Sequence, residues 1–200
     1  MRRDIRRIFA ESAAAQRDFA RRQSAALARA VELTRDALAA GHKLFFFGNG
    51  GSAADAQHLA AEFVNRFKLR REPLPALALT TDASALTSIA NDLGYGRVFA
   101  VQIEALGRPG DVAFAISTSG NAANVLRAVA SCRKLGIVTV GMTGGSGGKL
   151  AARVDHLLCV DGSSETPRIQ ETHILIGHVL CELVEKALAA GDARRRGRRT

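Results

Sequence analysis

Five short apolar runs alternate with helical stretches, and this alternation constrains the chain more than any other feature. The runs are Lys43–Phe47, Ala76–Leu79, Val112–Ile116, Ile137–Met142 and Leu157–Val160. Runs so short and so continuously apolar suit strands buried on both faces. The first helical stretch covers 5–40, is Ala-rich and has no Gly or Pro before Gly41. In it Phe9, Ala13, Ala20, Leu27, Val31 and Leu38 follow one another in steps of four or seven, which predicts an apolar stripe. Further helices are expected over 52–67, with Ser52 as N-cap, over 83–91, over Val98–Leu106, up to about Leu135, and over 168–190 after Pro167. A turn fits Asp92–Gly96. The pattern predicts an α/β fold: a mostly parallel five-stranded sheet covered by helices on both faces, preceded by an N-terminal helical segment. Residues 1–190 read as one domain, and 191–200 as an Arg-rich tail expected to be solvated and disordered.

The charge looks at first like that of a nucleic-acid binder. The 200 residues carry a formal +9, with 28 Lys+Arg against 19 Asp+Glu. Residues 1–8 hold four Arg and one Asp, and residues 191–200 hold five Arg and one Asp, which leaves +2 for the other 182. The basicity therefore sits at the two ends. Trp is absent, Tyr95 is the only tyrosine, and most of the nine Phe lie in apolar runs, so platforms for base stacking are scarce. These features set nucleic acid aside as a partner. No stretch approaches the ~20 apolar residues of a membrane span, and no apolar segment follows the N-terminal arginines as a secretory signal would require. Cys132, Cys159 and Cys181 are odd in number and lack CxxC spacing, which fits core residues in a reducing cytoplasm.

In open parallel sheets ligands bind where strands end and helices begin. The first such loop is Gly48-Asn49-Gly50-Gly51-Ser52-Ala53. Its glycines allow close backbone approach, and N–H groups at a helix start attract anions. The loop also satisfies the loose dinucleotide pattern GxGxxA. The acidic partner expected about 20 positions on is missing, however, since Asp82 comes about 30 positions later. A plain tight turn is the simpler alternative. The second loop, Ser117-Thr118-Ser119-Gly120-Asn121, offers three hydroxyls that can cradle a phosphate without any Lys. Simple capping by Ser119 or Asn121 would need only one of them. Asn91-Asp92 is placed in a loop, either to bind sugar hydroxyls or to form an Asx turn before Gly94.

His58 and Glu62 lie one helical turn apart and share a face. They suit a divalent metal, a base with its orienting partner, or a local ion pair. The last helix carries Gln170, Glu171, His173 and His178 in an otherwise apolar segment. On a helix, Gln170 lies about 80° from His178 and about 60° from His173. A polar edge on so apolar a helix needs a partner, and a metal shared with His58 and Glu62 would supply one. Spacing does not choose between His173 and His178.

Taken together, GNGGSAADAQHLAAEF, IANDLGYG, ISTSGNAANV and RIQETHILIGH resemble the phosphoheptose (sedoheptulose 7-phosphate) isomerases of the sugar isomerase (SIS) domain superfamily. The resemblance spans about residues 5–188. It implies a flavodoxin-like, three-layer αβα sandwich and a cytoplasmic homotetramer with active sites between subunits. It implies zinc, one ion per subunit, held by His58, Glu62, Gln170 and His178, and so selects His178 over His173. Glu62 and His178 would be catalytic. Asn49, Gly50, Gly51, Ser52, Glu62, Asn91, Asp92, Ser117, Thr118, Ser119 and Gln170 would contact a seven-carbon sugar phosphate. The implied reaction converts D-sedoheptulose 7-phosphate into D-glycero-D-manno-heptose 7-phosphate, the first step of heptose nucleotide synthesis for lipopolysaccharide. Two positions depart from the pattern: Ala122 stands where many members have a substrate-binding serine, and Pro167 where some have Asp. A sister group, non-catalytic proteins that bind the replication initiator, is similar around GNGGSAADAQH, VNRF and IAND. It is expected to lack the Glu and the final His that this chain keeps.

Overall fold

The computed structural model describes the backbone of residues 1–197 and side chains through Gly191. In chain order the elements are α1 (Arg2–Ala39), β1 (Leu44–Gly48), α2 (Gly51–Val64), β2 (Ala76–Ala78), α3 (Ala83–Leu93), α4 (Val98–Leu106), β3 (Val112–Ile116), α5 (Ala123–Lys134), β4 (Val138–Gly144), β5 (His156–Val160) and α6 (Thr166–Gly197). All strand pairings are parallel, in the order β2-β1-β3-β4-β5. This is the flavodoxin-like αβα sandwich.

Alternation along each strand divides the core into two layers. Leu44 and Phe46, with Val112, Phe114 and Ile116, pack under α1, α2 and α6. Phe45 and Phe47, with Ala113 and Ala115, pack under α4 and α5, with Leu86 and Ile89 of α3 at the margin. Every position of β1 and β3 is buried, which explains why both runs are apolar throughout. Phe46 stacks on Phe114 at 4.8 Å between centroids. The strand order reverses between β1 and β3, where Gly48 pairs with Ile116. Both loops singled out in the sequence leave the sheet at this switch point.

Several local expectations change. The α1 stripe begins at Ala15 and runs through Phe19, Leu27, Ala30, Val31, Thr34, Ala37 and Leu38. Phe9 is 71% exposed, Ala20 is exposed and Ala13 only partly covered, because the first turns of α1 run beyond the body they would pack on. Ser52 does not cap α2. The cap is Gly50 at φ +58, and Ser52 lies inside the first turn, 3% exposed. α2 also ends at Val64, short of 67. Asn91 and Asp92 are not in a loop but in the last turn of α3, which extends to Leu93 and is capped by Asp82 accepting from the Ala85 N–H. Neither Ser119 nor Asn121 caps α5, whose cap position is Ala122. α6 continues to Gly197, so the backbone of 191–197, expected to be a disordered tail, is helical; the side chains after Gly191 and positions 198–200 lie outside the described residues. Among the described residues no helix is long and apolar enough to cross a membrane.

α2 reaches α6 across a glycine. A Cβ on Gly177 would lie 2.3 Å from Leu59 Cδ2, and Leu59 is itself fully buried. Gly177→Ala should therefore cost about 1–3 kcal/mol, measured as a lower urea midpoint at unchanged slope.

Candidate active site

The path from β1 into α2 turns at Gly50, whose positive φ suits a residue without a Cβ. One face of α2 then presents His58 and Glu62, with His58 Nε2 3.4 Å from Glu62 Oε1. The contact at Gly177 brings His178 of α6 against the same face. Its Nε2 lies 2.9 Å from His58 Nε2, and the two rings meet edge to face. His178 has its pKa lowered, first by burial and then by the neighbouring His58, against a raising effect of Glu62. Phe67, in the loop after α2, stacks on the His178 ring at 5.5 Å between centroids.

His173 has a different role. It is fully buried, its Nε2 lies 3.0 Å from the Thr143 carbonyl oxygen, and burial pushes its pKa down to about 4. It is a neutral core histidine, so the structure separates the two histidines that spacing left equivalent.

Gln170 sits at the other end of α6. A Cβ on Gly51 would fall 2.5 Å from its Nε2, so the amide lies against the start of α2. Two turns of helix, about 12 Å of rise, separate it from His178. Within one chain the structure joins His58, Glu62 and His178, and joins Gln170 to the first loop.

The two loops meet through Asn49. Its Nδ2 donates to Asn124 Oδ1 at 2.9 Å, and Asn124 Nδ2 donates back to Asn49 Oδ1 at 2.8 Å. The Tyr95 hydroxyl donates to the same Asn49 oxygen at 3.0 Å. In the second loop Ser117 is buried, Thr118 partly exposed and Ser119 exposed. The Gly120 N–H donates to the Ser117 carbonyl, and Asn121 ties the loop to Lys149 N and the Ser119 carbonyl. Gly120 permits the approach of the loop after β4, since a Cβ there would fall 1.9 Å from the Gly147 carbonyl oxygen. Ser52 is buried and its N–H bonds to the Asn49 carbonyl, so its role lies in the shape of the turn. Asn91 and Asp92 are exposed and bond each other, Nδ2 to Oδ1 at 2.8 Å.

Four residues at the site escaped sequence reasoning: Asp55, Phe67, Tyr95 and Asn124. Asp55, one turn before His58, has Oδ2 buried without a partner, and burial raises its carboxyl to about 6 against the lowering effect of His58. Tyr95, the single tyrosine, and Asn124, a polar residue in the first turn of an apolar helix, were the available signals.

The SIS domain family matches residues 8–144. "Phosphoheptose isomerase" of Nitratidesulfovibrio vulgaris is 57% identical over 163 residues, covering 80% of this chain and 78% of its own. The protein of that name from Aquifex aeolicus is 50% identical over 182 residues, covering 91% and 95%. The chain belongs to the phosphoheptose isomerase family. Phosphoheptose isomerase GmhA from Neisseria gonorrhoeae, a solved structure, superposes with a TM-score of 0.88 at 43% identity, over 92% of this chain and 98% of that one. The fold of this chain is thus that of the Neisseria gonorrhoeae structure.

The Asn49–Asn124 amide pair is partly buried, and breaking it strands polar groups. Asn124→Ala should cost about 1–3 kcal/mol, seen as a lower denaturation midpoint.

Proposed function

We propose that the chain isomerises D-sedoheptulose 7-phosphate to D-glycero-D-manno-heptose 7-phosphate. The observation that carries this is Glu62 and His178 converging with His58 between α2 and α6, in a chain of this family. The phosphate would rest on Thr118 and Ser119 and on the N-terminal amides of α2 and α5. Glu62 is the base that removes a proton from C1 of the ketose. The electron pair forms the C1–C2 double bond while the C2 carbonyl oxygen takes a proton, giving an enediol. His178 delivers a proton to C2 as the O1 proton leaves, and the aldehyde forms at C1. No electron is gained or lost overall. The Asn49–Asn124 pair and Tyr95 hold the first loop rigid while the sugar binds.

We further propose one zinc ion per subunit. Among the described residues no group of three or more His, Cys, Asp or Glu is already closed around a metal position. The donor set still fits: two facing imidazole nitrogens and a carboxylate suit zinc, and the orphaned Asp55 oxygen is a nearby anion that a cation would offset. His58, Glu62 and His178 would hold the ion, with Gln170 the fourth ligand that the family resemblance implies. When bound it would polarise the substrate carbonyl. A homotetramer with sites between subunits is also proposed, supported by uncovered Ile5, Ile8 and Phe9 on α1 and Leu175 and Leu183 on α6. The three free, buried cysteines suit a cytoplasmic setting. The non-catalytic, initiator-binding alternative gains nothing: the two residues it should lack are the ones brought together.

Incubation with sedoheptulose 7-phosphate, followed by NMR, should show the aldose appear. Glu62→Gln and His178→Ala should each lower kcat by about 100-fold or more without changing the oligomer seen by light scattering. Retained turnover in either variant removes the assigned role. Chelation should abolish turnover and added zinc restore it; full activity in chelator would refute the zinc proposal.

A further inference from the structure

The loop between α2 and β2 carries a contact that the proposed chemistry does not use. Glu185 of α6 is 2% exposed, yet its carboxylate is fully engaged. It accepts from three consecutive backbone N–H groups, those of Phe67 at 3.1 Å and of Lys68 and Leu69 at 2.8 Å. It also accepts from Arg71 Nε at 3.0 Å. Arg71 in turn donates to the carbonyls of Glu62 and Phe63, both at 2.9 Å, where α2 leaves its last acceptors unpaired. One carboxylate and one guanidinium thus clasp the loop to both site helices.

The clasp fixes the backbone of Phe67, and the Phe67 ring lies on the imidazole of His178, 28° from parallel. At its Nε2 edge the imidazole meets His58, the two rings edge to face. An imidazole turns about its χ2 bond, and that turn decides whether Nε2 points toward His58 and Glu62 or away from them. We infer that Phe67 is a positioning residue, held by the Glu185–Arg71 clasp so that it locks the rotation of His178. Phe67 touches neither substrate nor reacting atoms here; it acts through His178. The inference rests on the functional reading above for its kinetic readout alone.

The test uses the full chain with Phe67→Ala, Phe67→Tyr and Glu185→Gln. Phe67→Ala should lower kcat on sedoheptulose 7-phosphate about 10-fold or more and speed zinc release to a chromogenic chelator by a similar factor. KM should change less than about twofold, and the thermal midpoint should stay near wild type, because the ring lies at the margin of the core. Phe67→Tyr, which keeps the flat ring, should restore both rates. Glu185→Gln should reproduce the loss, since it loosens the loop that carries the ring. Long-range 1H–15N spectra of the metal-free protein supply a readout independent of activity: one His178 tautomer in wild type, a mixture in Phe67→Ala. Wild-type kcat, zinc release and tautomer in Phe67→Ala would overturn the inference. So would a loss that Phe67→Tyr fails to rescue, which would mark a purely structural role. Should wild type neither turn over the sugar nor take up zinc, the functional reading fails while the tautomer spectra still decide the role of Phe67.

Discussion

The close packing of α2 on α6 is the constraint on which the rest depends. Gly177 has no side chain, so Leu59 fills the space where one would stand. One turn of helix on either side of that contact decides everything about the site: His58 and Glu62 come from one helix, His178 from the other. Gly51 plays the same part at the far end, where the Gln170 amide occupies the space of its missing Cβ. Gly48, whose Cβ would collide with the Ile116 carbonyl and with Ser52, lets α2 start close against the sheet. Three absent methyl groups therefore set the spacing of the site.

Buried acids in this fold act as staples for the backbone. Glu185 gathers three N–H groups of one loop. Asp111, 1% exposed just before β3, accepts from the N–H groups of Lys43 and Arg108 and from Lys43 Nζ. Asp155, although exposed, also accepts from the N–H and hydroxyl of Thr139. For Glu185 the three N–H groups and Arg71 hold the carboxyl below its ordinary pKa, against the raising effect of burial. The helical ion pairs on α1, such as Arg7–Glu11, are exposed and contribute little. The +9 of the chain thus has small bearing on the candidate site, whose two loops carry hydroxyls and amides and no Lys or Arg.

Much of the fold was legible because both-face burial leaves a plain mark: the LFFF run is apolar at every position since helices cover the sheet on both sides. The α1 stripe was misjudged at Phe9 because periodicity records which residues share a face and not where the neighbouring layer ends. The Ser52 cap was misjudged because Gly50 takes a positive φ that serine rarely adopts, so the cap lies two residues earlier than the hydroxyl suggests. Asn91-Asp92 read as a turn because Gly94 follows, yet the helix runs up to that glycine.

The sequence by itself determined the parallel sheet, the loops that serve as the anion-binding edge, and the pairing of His58 with Glu62, since all of these are local patterns of three to five residues. Spacing left the two histidines of α6 equivalent and the family resemblance selected His178; the tertiary structure supplies the physical difference. His173 and His178 share a helix and a residue type, and they differ in what lies opposite: a carbonyl of β4 for His173, α2 for His178. It also brought Phe67, Tyr95 and Asn124 to the site, because their partners are distant in the chain and no local pattern records which surfaces will meet.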